Sequence, residues 1–211
     1  MIDTTKLKEE QLKLARKVVL KDGFEKISLI AGSDQAYYMD KIISAIAVLS
    51  YEDLKVVELK YTVQECKFPY IPTYLSYRES PAIVETYHKL DNQPDIILVD
   101  GNGILHPRKL GVASHLGLLL DKPTIGVAKS LLLGEEKDGK IFVDGEPRAF
   151  IVTTREYAKP IYVSPGHLVS MGKSLEIVKH CLQGHKLPEP LKIAHNYANK
   201  IKRKLKEDNP N

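Results

Sequence analysis

The chain has little cysteine. There are 2 in 211 residues, Cys66 and Cys181, and neither belongs to a Cys-x-x-Cys pair or a Cys/His cluster with metal-ligand spacing. That excludes a disulfide-stapled scaffold and predicts two reduced thiols in a cytoplasmic protein. No run approaches the roughly 18 apolar residues of a membrane span, so no membrane partner is expected. The opening stretch MIDTTKLKEEQLKLARKVVL has no long apolar core and no small-residue cleavage site, so a secretory signal is not expected either. A Gly-x-Gly-x-x-Gly motif is missing, which argues against a plain doubly wound nucleotide fold. Internal repeats and low-complexity tracts are missing too. Charge is nearly balanced, with 31 Lys and Arg against 27 Asp and Glu and a formal net of +4. That permits an anionic partner such as nucleic acid without demanding one.

What is there is an ordinary soluble composition, 43% hydrophobic and 27% charged, in one domain spanning residues 1–211. Leu7, Leu12, Leu14, Ala15, Val18 and Val19 predict an amphipathic helix over 3–21. Three apolar, β-branched runs follow, 29–31, 42–50 and 56–63, joined by short polar connections that predict an antiparallel meander. Ser80 reads as an N-cap, with Pro81 at the first position of a helix to about Lys89. PDIILVDGNG predicts a strand buried on both faces, GVASHLGLLLDK a crossover helix and PTIGVAK a parallel neighbour. Residues 134–160 read as a hairpin insertion, and PIYVSPGHLVS as a strand and loop. SLEIVKHCLQG is a helix closed by Gly184, and a last helix frays into a tail from about 205. The class is α/β, a mixed sheet whose first three strands are antiparallel, flanked by helices.

Two acids stand at strand ends. Asp34 follows Ile-Ala-Gly-Ser, and Asp100 follows Ile-Ile-Leu-Val. If those strands are neighbours, the carboxylates share one spot and repel unless a cation sits between them. Such an oxygen-rich site suits Mg²⁺. Plainer readings stand beside each residue. Asp100-Gly101 is a turn, Glu79 favours a helix N-terminus, and His195 is a polar residue on a helix. His167 is a loop histidine, and Lys129 is a solvated strand end. FPYIPTYLSYRE raises a different question. Pro69 and Pro72 make a stiff, extended turn that carries Tyr70 and Ile71. Composition and spacing lead to a divalent-metal site on a mixed sheet and stop there.

Six blocks go further: AGSDQAYY, FPYIPTYLSYRE, ILVDGNGILHPRKLGVASHLG, PTIGVAKSLLLG, YVSPGHLVS and LPEPLKIAH. In order and distance they resemble endonuclease V, over about residues 30–200. The resemblance implies a ribonuclease H-like fold. It implies an Mg²⁺-dependent nuclease, with Mn²⁺ as substitute, that cuts the second phosphodiester 3′ to a deaminated purine. The products carry a 3′-hydroxyl and a 5′-phosphate. The substrate would be deoxyinosine in DNA, with inosine-containing RNA as the alternative. By motif position Asp34, Asp100 and Glu79 would hold the metal, with His195 beside them, and Lys129 would approach the backbone at the cut. Pro69, Tyr70, Ile71 and Pro72 would form a wedge at the lesion. Leu75, Gly101, Gly103 and Leu132 would form the base pocket. There a backbone N–H facing O6 would favour hypoxanthine over adenine.

His106, Arg108 and His167 are further residues that could line the site. Arg108 reads as a phosphate contact or a loop brace. Gln35 and Asn102 depart from the family pattern without removing a metal ligand. The basic run 200–206 reads as a solvated face or a contact to flanking phosphate. Two rivals are a lesion-binding module without catalysis and an enzyme for a small phosphorylated metabolite. The first would lack an acid, and the second does not explain the braced tyrosine. Nothing in the sequence argues for an oligomer.

Overall fold

The computed structural model describes residues 3–208. The sheet opens with the expected meander: β1 (Leu29–Tyr38), β2 (Lys41–Ser50) and β3 (Val56–Glu65), all antiparallel. β1 carries the apolar run 29–31 on through Asp34 to Tyr38. It pairs with β2 over its whole length, from Leu29 opposite Ser50 to Tyr38 opposite Lys41. Ladder pairing and burial thus override the weak strand preference of Gly32, Ser33 and Asp34.

β4 (Ile96–Asp100) lies parallel to β1, and β5 (Thr124–Ala128) parallel to β4. β9 (Ile161–His167) returns antiparallel against β5. The expected insertion is β6 (Glu135–Lys137), β7 (Lys140–Val143) and β8 (Glu146–Val152), which extends that edge as hairpins. The strand order is β3-β2-β1-β4-β5-β9-β8-β7-β6.

Helices α2 (Leu75–Tyr87) and α3 (Val112–Leu120) cover one face. Helices α4 (Met171–His180) and α5 (Glu189–Asp208) cover the other. Strand side chains alternate between the two. Ile30, Ile96 and Leu98 pack with Ile177 and Leu191, while Ala31, Ile97 and Val99 pack with Ile83 and Leu116. This period of two explains why Ile-Ile-Leu-Val is apolar without a break. Each such fully buried side chain contributes roughly 1.5–3 kcal/mol.

Several helix boundaries differ from expectation; α4 begins at Met171 and ends at His180, short of the expected stop at Gly184. α1 is Thr4–Ala15 and stops well before residue 21. Beyond it the Val19 carbonyl accepts from Leu168 N at 2.8 Å, which draws the chain out of the helix. α2 starts at Leu75, not after Ser80, and holds Pro81 in its interior. The helix is nucleated by the turn after Pro72, where Tyr74 N donates to Ile71 O at 3.0 Å. Tertiary packing then outweighs the local start signal at Ser80. Glu79 is therefore a buried mid-helix residue and not a first-turn glutamate. α5 continues to Asp208, past the expected start of the tail at 205; residues 209–211 lie outside the described residues.

One glycine fixes where α5 begins. A Cβ on Gly32 of β1 would lie 2.2 Å from the Pro190 carbonyl carbon and 2.6 Å from Leu191 N. Both neighbours are backbone, so the helix itself would have to move. Gly32→Ala should destabilise the protein by on the order of 2–3 kcal/mol, read as a lowered Tm. An unchanged Tm would contradict this packing.

Candidate active site at the strand ends

The parallel strands β1, β4 and β5 end at one rim. Ser33 is opposite Val99, which sets Asp34 beside Asp100, and Asp100 is opposite Val127. Asp34 and Ile30 differ by an even number of residues, as do Asp100 and Ile96. Both acids thus point to the α5 side of the sheet. α5 brings His195 to them, with Nδ1 2.5 Å from Asp34 Oδ2. Asn199, one turn on, donates from Nδ2 to His195 Nε2 at 3.1 Å and to the His195 carbonyl at 3.0 Å. In this network His195 donates from Nδ1 and accepts at Nε2. Both ring nitrogens are engaged, and the ring orients Asp34. The other Asp34 oxygen, Oδ1, accepts from Gln35 N at 2.8 Å.

Lys129, one residue beyond β5, donates from Nζ to Asp100 Oδ2. Burial and the neighbouring Asp34 still raise the Asp100 pKa above the usual carboxylate range, and Lys129 offsets only part of this. Glu79 reaches the rim from the opposite face. Its Oε1 accepts from Tyr37 Oη at 2.8 Å, and its Oε2 is buried with no hydrogen-bond partner. Burial, reinforced by the negative charges of Asp100 and Asp34, pushes the Glu79 pKa up to about 7. Tyr37 is held above its ordinary range by burial and by Glu79. The Arg78 guanidinium lies 4.6 Å over the Tyr37 ring.

Among the described residues, no three of these side chains are already arranged to hold one ion. The seat is instead two adjacent carboxylates with an unpartnered glutamate oxygen nearby. That donor set fits a hard cation that keeps several waters and takes one or two carboxylates.

A cavity of about 380 Å³ opens beside the acids. Leu75, Gly101 and Leu132 line it, as do Asp34, Glu79, Asp100 and Lys129. Tyr70 stands at its edge and is 70% exposed. Gly103 does not line it. A Cβ there would meet the Pro165 carbonyl oxygen at 2.1 Å, so this glycine lets the loop after β4 pack on β9. His106 lines the cavity but is 3% exposed. Its Nε2 donates to Thr73 O at 2.9 Å, and burial lowers its pKa to about 4, so it stays neutral. Arg108 braces the same residue through Thr73 O at 3.0 Å and Thr73 Oγ1 at 2.7 Å. His167 is absent from the site. It pairs with Thr124 at the far end of β5, and its Nδ1 accepts from Val19 N at 3.2 Å.

The sequence reading missed Tyr37 and Asn199. Their signals were modest. Tyr37 has the opposite strand parity to Asp34, hence the α2 face, and Asn199 is four residues after His195. Beyond His195, α5 carries Lys200, Lys202, Arg203, Lys204 and Lys206. None of these makes an ion pair among the described residues.

Comparison with known proteins agrees with this geometry. The family model for endonuclease V matches residues 12–196. Endonuclease V of Dictyoglomus turgidum is 39% identical, over 94% of this chain and 90% of the relative. That of Trichormus variabilis is 42% identical, over 89% of this chain and 90% of the relative. The crystal structure of the Bacillus subtilis endonuclease V superposes with a TM-score of 0.91 at 29% identity, covering 99% of this chain and 96% of that one. Ciona intestinalis endonuclease V, solved with a 23mer DNA containing an inosine followed by a ribo-adenosine, gives a TM-score of 0.87 at 30% identity. That match covers 97% of this chain and all of the other. The chain belongs to the endonuclease V family and is a nuclease of that family.

Proposed function

We propose that this nuclease recognises hypoxanthine in nucleic acid and hydrolyses the second phosphodiester on its 3′ side, with Mg²⁺ or Mn²⁺ as cofactor. The observation that carries the reading is a juxtaposition. Asp34 and Asp100 stand side by side, Glu79 closes on them with a free oxygen, and the adjoining cavity is flanked by an exposed tyrosine. A small-metabolite enzyme would not need that tyrosine held outside.

Asp34, Asp100 and Glu79 would hold the metal. When bound, it supplies a more acidic coordinated water and offsets charge on the phosphate. The chain's own residues do the rest. His195 keeps Asp34 oriented. Lys129 brings positive charge to the place where the phosphate oxygens must lie. Tyr70 fills the space of the extruded base, for which stacking returns roughly 1–3 kcal/mol. The cations of α5 beyond His195, none of them in an ion pair among the described residues, add positive charge that a polyanion would follow. The cavity takes the base, with Gly101 allowing close approach of the main chain.

The reading is tested with matched inosine-containing and plain oligonucleotides, as DNA and RNA, in the presence of Mg²⁺. Cutting should occur only with inosine and at one position 3′ to it. Equal cutting of plain strands would contradict the reading. Asp34→Ala and Asp100→Ala should each lower the rate on the order of a thousandfold or more while lesion binding persists. Wild-type rates in either variant would remove these acids from the chemistry. Tyr70→Ala should weaken binding to inosine duplex by about ten- to a hundredfold and change cutting of single strands far less. Equal losses on both substrates would contradict the wedge.

A further inference from the structure

The turn that carries Tyr70 is pinned at both ends by backbone carbonyls. At one end, Arg78 Nη1 donates to Phe68 O. At the other, the Thr73 carbonyl takes three donors: Gln11 Nε2 at 3.1 Å, His106 Nε2 at 2.9 Å and Arg108 Nη2 at 3.0 Å. Thr73 has φ +68°, a left-handed conformation that a β-branched side chain adopts only when its surroundings force it. These donors are what force it.

Gln11 comes from a distant part of the chain. It lies between Leu7 and Leu14 on one face of α1, where the amphipathic pattern calls for an apolar residue. It is the one buried residue of that helix, at 0% exposure. Its amide is used at both ends, with Oε1 accepting from Arg108 Nε. The other long-range hydrogen bonds of α1 go to the same region. Thr4 O accepts from Tyr74 Oη at 3.2 Å, and Tyr77 Oη reaches Leu7 O at 3.3 Å and Glu10 Oε2 at 3.0 Å. α1 is thus docked on the foot of the proline turn and the first turn of α2.

We propose that α1 is a latch for the wedge and that Gln11 is its positioning residue. By satisfying Thr73 and Arg108 together, Gln11 fixes the turn and so sets how Tyr70 stands out from the surface. Its effect falls on engagement of a duplex lesion and not on hydrolysis. The inference rests on the wedge reading of Tyr70 for its consequence, though not for the contacts themselves.

Two substitutions separate this from simple helix packing. Gln11→Leu removes both contacts and keeps the volume. Gln11→Glu keeps an acceptor for Arg108, and adds charge to it, but sets a second acceptor against the Thr73 carbonyl. A packing role predicts that Gln11→Leu, which keeps the volume on a buried face, is benign. The latch predicts that both variants loosen the wedge. Amide hydrogen exchange over residues 68–74 of the free protein should therefore quicken in both, with β4 and β5 unchanged. KM for inosine duplex should rise about tenfold, because Gln11→Leu leaves Arg108 Nε without its acceptor and Gln11→Glu sets a carboxylate against the Thr73 carbonyl. The kcat on single-stranded inosine substrate should stay within about twofold. Unchanged exchange in the Gln11→Leu variant would overturn the proposal. So would quickened exchange without a rise in duplex KM, or an equal fall in single-strand kcat. The exchange arm needs no substrate. If wild type cuts no inosine strand, the nuclease reading fails and the exchange result alone decides the latch.

Discussion

Mutual repulsion between carboxylates at the ends of adjacent parallel strands is the constraint around which the site is built. Asp34 and Asp100 are brought together by register, and Glu79 is buried against them from the other face of the sheet. Removing such groups from water disfavours their charged forms, and placing them together disfavours them again. The protein meets this with hydrogen bonds and one ammonium: Gln35 N and His195 on Asp34, Lys129 on Asp100, and Tyr37 on Glu79. That is not enough to bring Glu79 back to the ordinary range, and its Oε2 is left without a partner. A divalent cation, as proposed, would supply what is missing.

The second constraint is stiffness at the turn beside the site. An aromatic probe returns stacking energy to an extruded base only if little ordering is left to do on binding. Pro69 and Pro72 restrict the turn locally, and Arg78 and Arg108 fix its two feet. Helix α2 follows directly on this turn and carries Glu79, so the proposed lesion probe and one acid of the cluster are tied to the same element.

The sequence revealed the elements whose signal is local. The apolar meander, the doubly buried strand β4 and the hairpin insertion were legible from periodicity alone. So was the pairing of Asp34 with Asp100, given neighbouring strands. The failures share a cause. α2 begins at Leu75 because the Pro72 turn and its tertiary anchors start it, and no capping signal records that. α1 ends at Ala15 because a backbone bond from Leu168 captures Val19. His167 carries a suggestive motif context, yet β9 runs antiparallel to β5 and delivers it to the far end of the sheet. Gly103 was read as part of the pocket and instead packs two backbones together. Gln11 did not stand out in the sequence, and its partners are 62 and 97 positions away. Only the fold joins them.

The folded protein holds the Glu79 proton more tightly than the unfolded chain does. The metal-free fold is thus favoured at low pH and loses that contribution as pH rises through about 7. Thermal unfolding of the chelator-treated protein, with and without added Mg²⁺, at pH 5.5 and pH 8, measures this directly. Mg²⁺ should raise Tm by several degrees at pH 8 and much less at pH 5.5, where Glu79 is protonated. Glu79→Gln should raise the metal-free Tm at pH 8 and shrink the response to Mg²⁺. A wild-type Tm indifferent to Mg²⁺ at pH 8, or a Mg²⁺ response equal at both pH values, would contradict the account.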